Sequence, residues 1–257
     1  MKVTARSLIP LCVVVLISVF TSTLYADERE AVLQWQRMVP LGTPVSGVVI
    51  KVNVRPGNRV EKGEVLLQLD DRVRMARVTA LEAELKRAKN NRDESARELE
   101  RTQDLYDRTL ISQHELELVR IQKDAGEAQF QTAKARLVQA QIDLEYSSVR
   151  APFAGWVVDR NVEVGQTVVS ELQAEPLVTM VEANLMFARA QVAGSDLGTL
   201  KVGDKANVEL KGVSYRGNIY HIGLNPIVGK EDHYNVDVAF DTGGKLFRAG
   251  QAAKVSF

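Results

Sequence analysis

The groups that could carry chemistry in this chain are three histidines, one cysteine and 33 acidic side chains. His114, His221 and His233 show no ligand spacing to one another or to a cysteine, so they do not read as a metal site. Solvated or hydrogen-bonded structural roles account for them. Cys12 lies in an apolar run, and the Ile-Pro-Leu before it lacks the small residues that precede a lipidated cysteine. Gly194-Ser195-Asp196-Leu197-Gly198 superficially resembles a nucleophile elbow. Its serine is one position too early and no strand leads obviously into it from the sequence, so a helix-start serine fits better. There is no glycine-rich phosphate loop. The carboxylates of residues 72–150 are interleaved with Lys and Arg on helix faces, the pattern of a solvated surface. The expectation is a chain that is not an enzyme, has no cofactor, and works through interaction surfaces.

The first 26 residues read as a secretory signal peptide. Lys2 and Arg6 form a positive n-region, Leu8 to Phe20 an apolar h-region, and cleavage is expected after Ala26. The apolar run has 13 residues, short for a membrane span, which needs about 20. An uncleaved anchor is the alternative. Without the leader the chain has no cysteine, so disulfides and thiolate catalysis are excluded. It then carries 31 basic against 33 acidic side chains, which gives no reason to expect nucleic acid.

One half-motif is written twice. Residues 44–60 and 152–168 align at a constant offset of 108, which matches Pro44 with Pro152, Gly47 with Gly155, Asn53 with Asn161, Val54 with Val162, Gly57 with Gly165 and Val60 with Val168. Each copy alternates apolar and polar residues and turns at Asn or Gly, so each reads as a pair of short strands. Neither copy buries an apolar face alone, so the two are expected to pack together as one β domain.

Between them, residues 72–150 hold one glycine, Gly126, and no proline. The stretch is rich in Ala, Glu, Lys, Arg, Gln and Leu, all strong helix formers. One seam runs Leu81, Leu85, Ala88, Arg92, Ser95, Leu99, Thr102, Tyr106; a second runs Leu116, Val119, Lys123, Gly126, Phe130, Ala133, Leu137, Ala140, Leu144. Steps of three and four give the 3.5-residue period of a coiled coil. The polar break at Asp107 to Gln113 makes the two seams an antiparallel hairpin, with Ser112 as N-cap of the returning helix and Glu115 completing a capping box. Arms of about 35 residues project roughly 50 Å. Polar residues at seam positions fit either a tolerated imperfect pair of helices or a seam that also packs beside copies of itself.

From Pro176 onward, short alternating runs return: Ala206 to Leu210, Asn218 to Ile222, Tyr234 to Phe240 and Ala252 to Phe257. Their glycine-broken spacing predicts a small barrel or sandwich, with one short helix over Ser195 to Leu200. Ala31 to Val39 could add a strand to it.

The repeated half-motif resembles a lipoyl/biotinyl-type domain. Such domains carry a modified lysine between their halves; here Asp70-Asp71 and the helical insert occupy that point, so the carrier role is lost. A split lipoyl-like domain, a long hairpin and a following β-barrel behind a signal peptide resemble the HlyD/AcrA-like periplasmic adaptor (membrane fusion) proteins of tripartite RND-type efflux pumps. Ser148-Val149-Arg150-Ala151-Pro152-Phe153-Ala154-Gly155 is close to that family's re-entry motif. The implied fold is mixed α and β and elongated. Its expected parts are a signal peptide at 1–26, an N-terminal strand joining the barrel at 27–40, lipoyl-like halves at 41–70 and 149–180, the hairpin at 71–148, and the barrel at 181–257.

The resemblance also implies a site. Family members that engage TolC-like channels share an Arg, a Leu four positions on and a Ser seven beyond; Arg101, Leu105 and Ser112 have that spacing. Implied partners are an inner-membrane transporter, RND first and ABC second, a TolC-like outer-membrane channel, and further copies of the chain, six in an assembled pump. The implied location is the periplasm, at the inner membrane through the transporter. The family's membrane-proximal domain has no counterpart in the sequence, which reduces the expected docking surface on the transporter. Two other classes compete. A carrier protein acting with a ligase would need a lysine at the split point. A periplasmic scaffold unrelated to transport would have no use for the tip.

Overall fold

The computed structural model describes residues 28–170 and 175–257. The expected signal peptide lies outside these residues. The elements in chain order are β1 (Glu28–Trp35), β2 (Met38–Leu41), β3 (Gly47–Val52), β4 (Arg59–Val60) and β5 (Val65–Leu69), then helices α1 (Arg72–Asp107) and α2 (Gln113–Glu145). There follow β6 (Ser148–Arg150), β7 (Gly155–Arg160), β8 (Thr167–Val168), β9 (Val178–Glu182), β10 (Leu185–Ala193), the single turn α3 (Gly194–Leu197), β11 (Lys205–Leu210), β12 (Val213–Ile222), β13 (His233–Asp241) and β14 (Ala252–Ser256).

Strands β1-β10-β13-β12-β11-β14 close into a barrel. Closure follows from strict alternation. In β11, Ala206, Val208 and Leu210 point inward while Lys205, Asn207 and Glu209 face water. Leu33, Met186, Val208, Ile219, Val236, Val238, Phe240 and Val255 fill the interior. Closing the sheet removes the free edges that would otherwise invite pairing with other chains.

The repeat builds a sandwich of two four-stranded sheets, β2-β9-β7-β4 and β6-β5-β3-β8. The offset of 108 maps β3 onto β7 and β4 onto β8 residue for residue. The short strand of each copy pairs with the long strand of the other: Val60 faces Gly155, and Gly47 faces Val168. The copies are therefore interlocked, and neither is a hairpin by itself. Val49 with Val157, Val54 with Val162, and Val60 with Val168 supply matching core positions. Gly57 and Gly165 turn the chain at φ +88° and +90°, a region that favours glycine.

The expected barrel segment 27–40 divides. β1 pairs with β10 and β14 in the barrel, but Met38–Leu41 pairs with β9 in the sandwich. The chain changes sheets at Gln36-Arg37. The alternation of apolar residues runs through this point and hides the change of partner.

The insert forms an antiparallel hairpin. On the first seam Ser95 and Thr102 are buried and Leu81, Leu85, Ala88, Arg92 and Leu99 half-buried; on the second Leu116, Gly126, Ala133, Leu137 and Ala140 are buried. Tyr106, expected on the seam, is instead 36% exposed in the last turn of α1. The polar seam positions have partners. The Arg92 guanidinium lies 4.2 Å over the Phe130 ring. A Cβ on Gly126 would stand 2.7 Å from Ser95 Oγ, so these two residues mark a close approach of the helices.

The hairpin and barrel leave the sandwich at opposite ends. β2 joins the barrel through Gln36-Arg37 at its start, while just past its end Thr43 Oγ1 donates to the Tyr146 carbonyl at the hairpin base, 2.7 Å away. Arg74 Nη2 donates to the Ser46 carbonyl at the same base.

Candidate functional site

The hairpin tip is built by two capping motifs. At the end of α1, Leu110 N–H donates to the Leu105 carbonyl at 3.0 Å and Thr109 N–H to the Tyr106 carbonyl at 2.8 Å. These are the two bonds of a Schellman motif, and Thr109 holds its left-handed position at φ +62°. α2 begins at Ser112. Its Oγ accepts from Glu115 N–H at 3.3 Å, and a Glu115 carboxylate oxygen accepts from Ser112 N–H at 2.9 Å. The capping box expected from sequence is therefore present. The backbone N–H of Ser112, then its hydroxyl, hold the Glu115 carboxyl below the usual glutamate range.

The three residues of the sequence motif occupy different regions of this tip. Arg101 and Leu105 are one helical turn apart on α1, so they share a face. Arg101 reaches back along its own helix to Glu94 at 3.0 Å and Glu98 at 3.4 Å, with its side chain 61% exposed. Exposed pairs of this kind contribute about 0–1 kcal/mol, so the guanidinium can exchange them for another acceptor at little cost. Leu105 is 42% exposed. Ser112 is exposed on the far side of the loop, where its hydroxyl is committed to the cap.

Sequence reasoning missed the apolar side chains around these three. Leu110, Leu118 and Ile121 are all more than half exposed. Their signal was available: Leu118 and Ile121 fall between positions of the second seam, and Leu110 sits in the polar break. The interior beneath is ordinary packing. Leu116 and Thr102 are buried, and Arg120 Nη2 ties the helices by donating to Gln103 Oε1 at 3.1 Å. The tip therefore presents exposed aliphatic side chains on and between capped helices, with Arg101 one turn from Leu105.

The split point between the sandwich halves carries carboxylates. Arg72 grips Asp70 through Nη2 at 2.6 Å and Nε at 2.9 Å, holding its carboxyl down to about 2. Among the described residues no group of three or more His, Cys, Asp or Glu is placed to hold a metal ion. No described helix is long and apolar enough to cross a membrane.

Comparison with known proteins agrees with this architecture. The family described as RND MFP, barrel-sandwich hybrid domain, matches residues 37–181, and the chain belongs to this membrane fusion protein family. The match begins at the turn where the chain leaves β1 for the sandwich. The macrolide export protein MacA of Yersinia pestis is 30% identical over 190 residues, covering 68% of this chain and 51% of that one. The multidrug resistance protein MdtE of Escherichia coli K12 is 30% identical over 136 residues, or 53% of this chain and 35% of MdtE. The chain spans about half the length of the MacA relatives it matches. Among solved structures, the membrane fusion protein Spr0693 of Streptococcus pneumoniae R6 has the same fold. It superposes with a TM-score of 0.66 at 15% identity, covering 89% of this chain and 97% of that one.

Proposed function

We propose that this protein is a periplasmic adaptor that links an inner-membrane efflux transporter to a TolC-like outer-membrane channel, for export of drugs or other small molecules. The observation that carries the reading is the capped hairpin tip, which displays Leu105, Leu110 and Leu118, with Arg101 one turn from Leu105, at the far end of a two-helix arm. An isolated pair of helices has no use for aliphatic side chains there. They are suited to anchor a contact with another protein, because desolvated apolar side chains carry much of an interface's energy. The Arg101 guanidinium would bind carbonyls or a carboxylate at the ends of channel helices. Ser112 permits close approach while capping α2. The family's name favours an RND transporter, with an ABC exporter as the competing class.

Assembly into a tube of several copies, six in the complete pump, belongs to the same reading. A second stripe on α2 supports it. Leu118, Ile121, Val138 and Ile142 are exposed, with Ala125, Ala128 and Ala135 between them at helical spacing. This stripe can lie against the hairpin of a neighbouring copy.

Two variants test the tip. Arg101→Glu reverses its charge, and Ser112→Asp keeps a cap because Asp caps about as well as Ser. Both should remain folded and lose drug export, while Lys89→Glu lower on the arm should lose less. Normal export by both tip variants at wild-type protein levels would remove the tip from the mechanism.

A further inference from the structure

The sandwich is apolar on both of its outer faces, and the repeat writes the same pattern on each. An antiparallel sheet that faces water alternates apolar-in with polar-out. Here β3 buries Val49 but turns Val48 and Ile50 outward, 43% and 47% exposed. At the offset of 108, β7 buries Val157 and turns half-buried Trp156 and Val158 to the opposite outer face, where exposed Met38 and Pro40 of β2 join them. Each copy also carries a bulge at the same point, between Val49 and Lys51 against β5 and between Val157 and Asp159 against β9. The bulge turns a second residue in succession outward. That residue is Lys51 on the first face and Asp159 on the second, so one position of the repeat carries opposite charges.

Both side chains are exposed, and neither has an ion-pair partner among the described residues. Their cross-strand neighbours are neutral: Gln68 stands opposite Lys51, and Thr179 opposite Asp159. Two further cations at the sheet edges are engaged elsewhere. Arg59 lies 5.9 Å over the Trp156 ring, and Arg150 Nη1 donates to the Gly63 carbonyl at 3.0 Å. Each face is therefore an apolar patch with one unpaired charge, and the two charges are complementary.

We infer that the two faces bind each other between copies. The β3 face of one chain packs on the β7 face of the next, with Lys51 beside the partner's Asp159. This rests on the assembly of several copies proposed above and names the surface that joins them. The hairpin and barrel leave the sandwich at opposite ends, so its broad faces look sideways, towards copies standing in parallel. Because the faces differ, the contact is head-to-tail. Each copy uses one face on either side, so the contact propagates and closes into a ring where the rotation permits. Pairing of two β3 faces would instead set like charges against each other, which opposes binding.

The test uses the full chain carrying Cys12→Ser, which leaves no other cysteine, in cells that hold its transporter and channel. Ile50→Cys marks the β3 face and Met38→Cys the β7 face. With a short bis-maleimide, the double variant should give a ladder of dimers, trimers and larger products. Either single variant should stay monomeric on a denaturing gel, and the two single variants expressed together should stop at dimers. Adding Lys51→Glu or Asp159→Lys to the double variant should lower the ladder at least about tenfold, the scale of like charges set across an interface. Adding both should restore it, because the exchanged charges are again complementary. Dimers from Ile50→Cys alone would overturn the inference. So would a ladder that ignores both charge reversals, or one that the double exchange does not restore. Absence of a ladder would also overturn it, and with cross-linking of the hairpin tip to the channel intact would leave the adaptor reading standing. A ladder without any channel cross-link would support the contact and count against the tip.

Discussion

The close approach of Gly126 to Ser95 makes a quantitative prediction about the hairpin. Gly126→Ala in a helix interior should by itself stabilise by about 0.8–1 kcal/mol through backbone entropy. The added Cβ, however, would meet Ser95 Oγ at 2.7 Å. That hydroxyl donates to the Arg92 carbonyl at 3.0 Å in a buried position. Turning it away strands a buried hydroxyl, at about 1–3 kcal/mol. Spreading the helices instead costs a similar amount in overpacking. The single variant should thus lie between neutral and about 2 kcal/mol destabilised. Adding Ser95→Ala removes the obstacle, since the remaining neighbours stand at 3.4 and 3.7 Å. In that background Gly126→Ala should recover its stabilisation of about 1 kcal/mol. A double-mutant cycle by urea unfolding, followed by helix ellipticity, should give a coupling of about 1–3 kcal/mol. Equal stabilisation by Gly126→Ala in both backgrounds would refute the close-approach argument.

Two further outcomes follow from the same structure. Thr109→Gly should raise hairpin stability by up to about 1 kcal/mol, because a β-branched residue holds a left-handed position there; local hydrogen exchange at the tip would measure it. Asp70, whose carboxyl is held down by Arg72, should titrate near pH 2, against an ordinary value of 3.8. A depressed carboxylate stabilises the folded state above its unfolded value. That contribution should be complete above about pH 4 and disappear as the pH falls towards 2. An NMR titration of the Asp70 carboxyl should show the low midpoint, and Arg72→Ala should return it towards the ordinary value.

The regions of this fold that were readable from sequence are those written as local periodicity. The two seams read off the sequence follow the buried and half-buried faces of α1 and α2 over residues 81–102 and 116–144, with Tyr106 the exception, because a helix buries one stripe whatever its partner. The 108-residue repeat is legible because each copy must supply the same buried valines. What was not legible is pairing. Nothing local shows that β3 takes β8 and β4 takes β7, since cross-copy and within-copy pairing bury the same side chains. The sheet change at Gln36-Arg37 is hidden for the same reason. At the tip, the Ser112 cap was readable from Ser and Glu three apart. The Schellman turn was not, because Thr109 stands where glycine would have signalled it. Leu110, Leu118 and Ile121 were overlooked because an apolar residue off a seam reveals its meaning only when its exposure is known.

The central claim is that the hairpin tip meets an outer-membrane channel. It is tested most directly by a photoreactive amino acid placed at position 105 in the protein expressed in cells with its channel. The account predicts a cross-link from position 105 to the channel, much weaker from position 89 lower on the arm, and lost when Arg101→Glu is added. No channel adduct from position 105, or equal adducts from both positions, would contradict it.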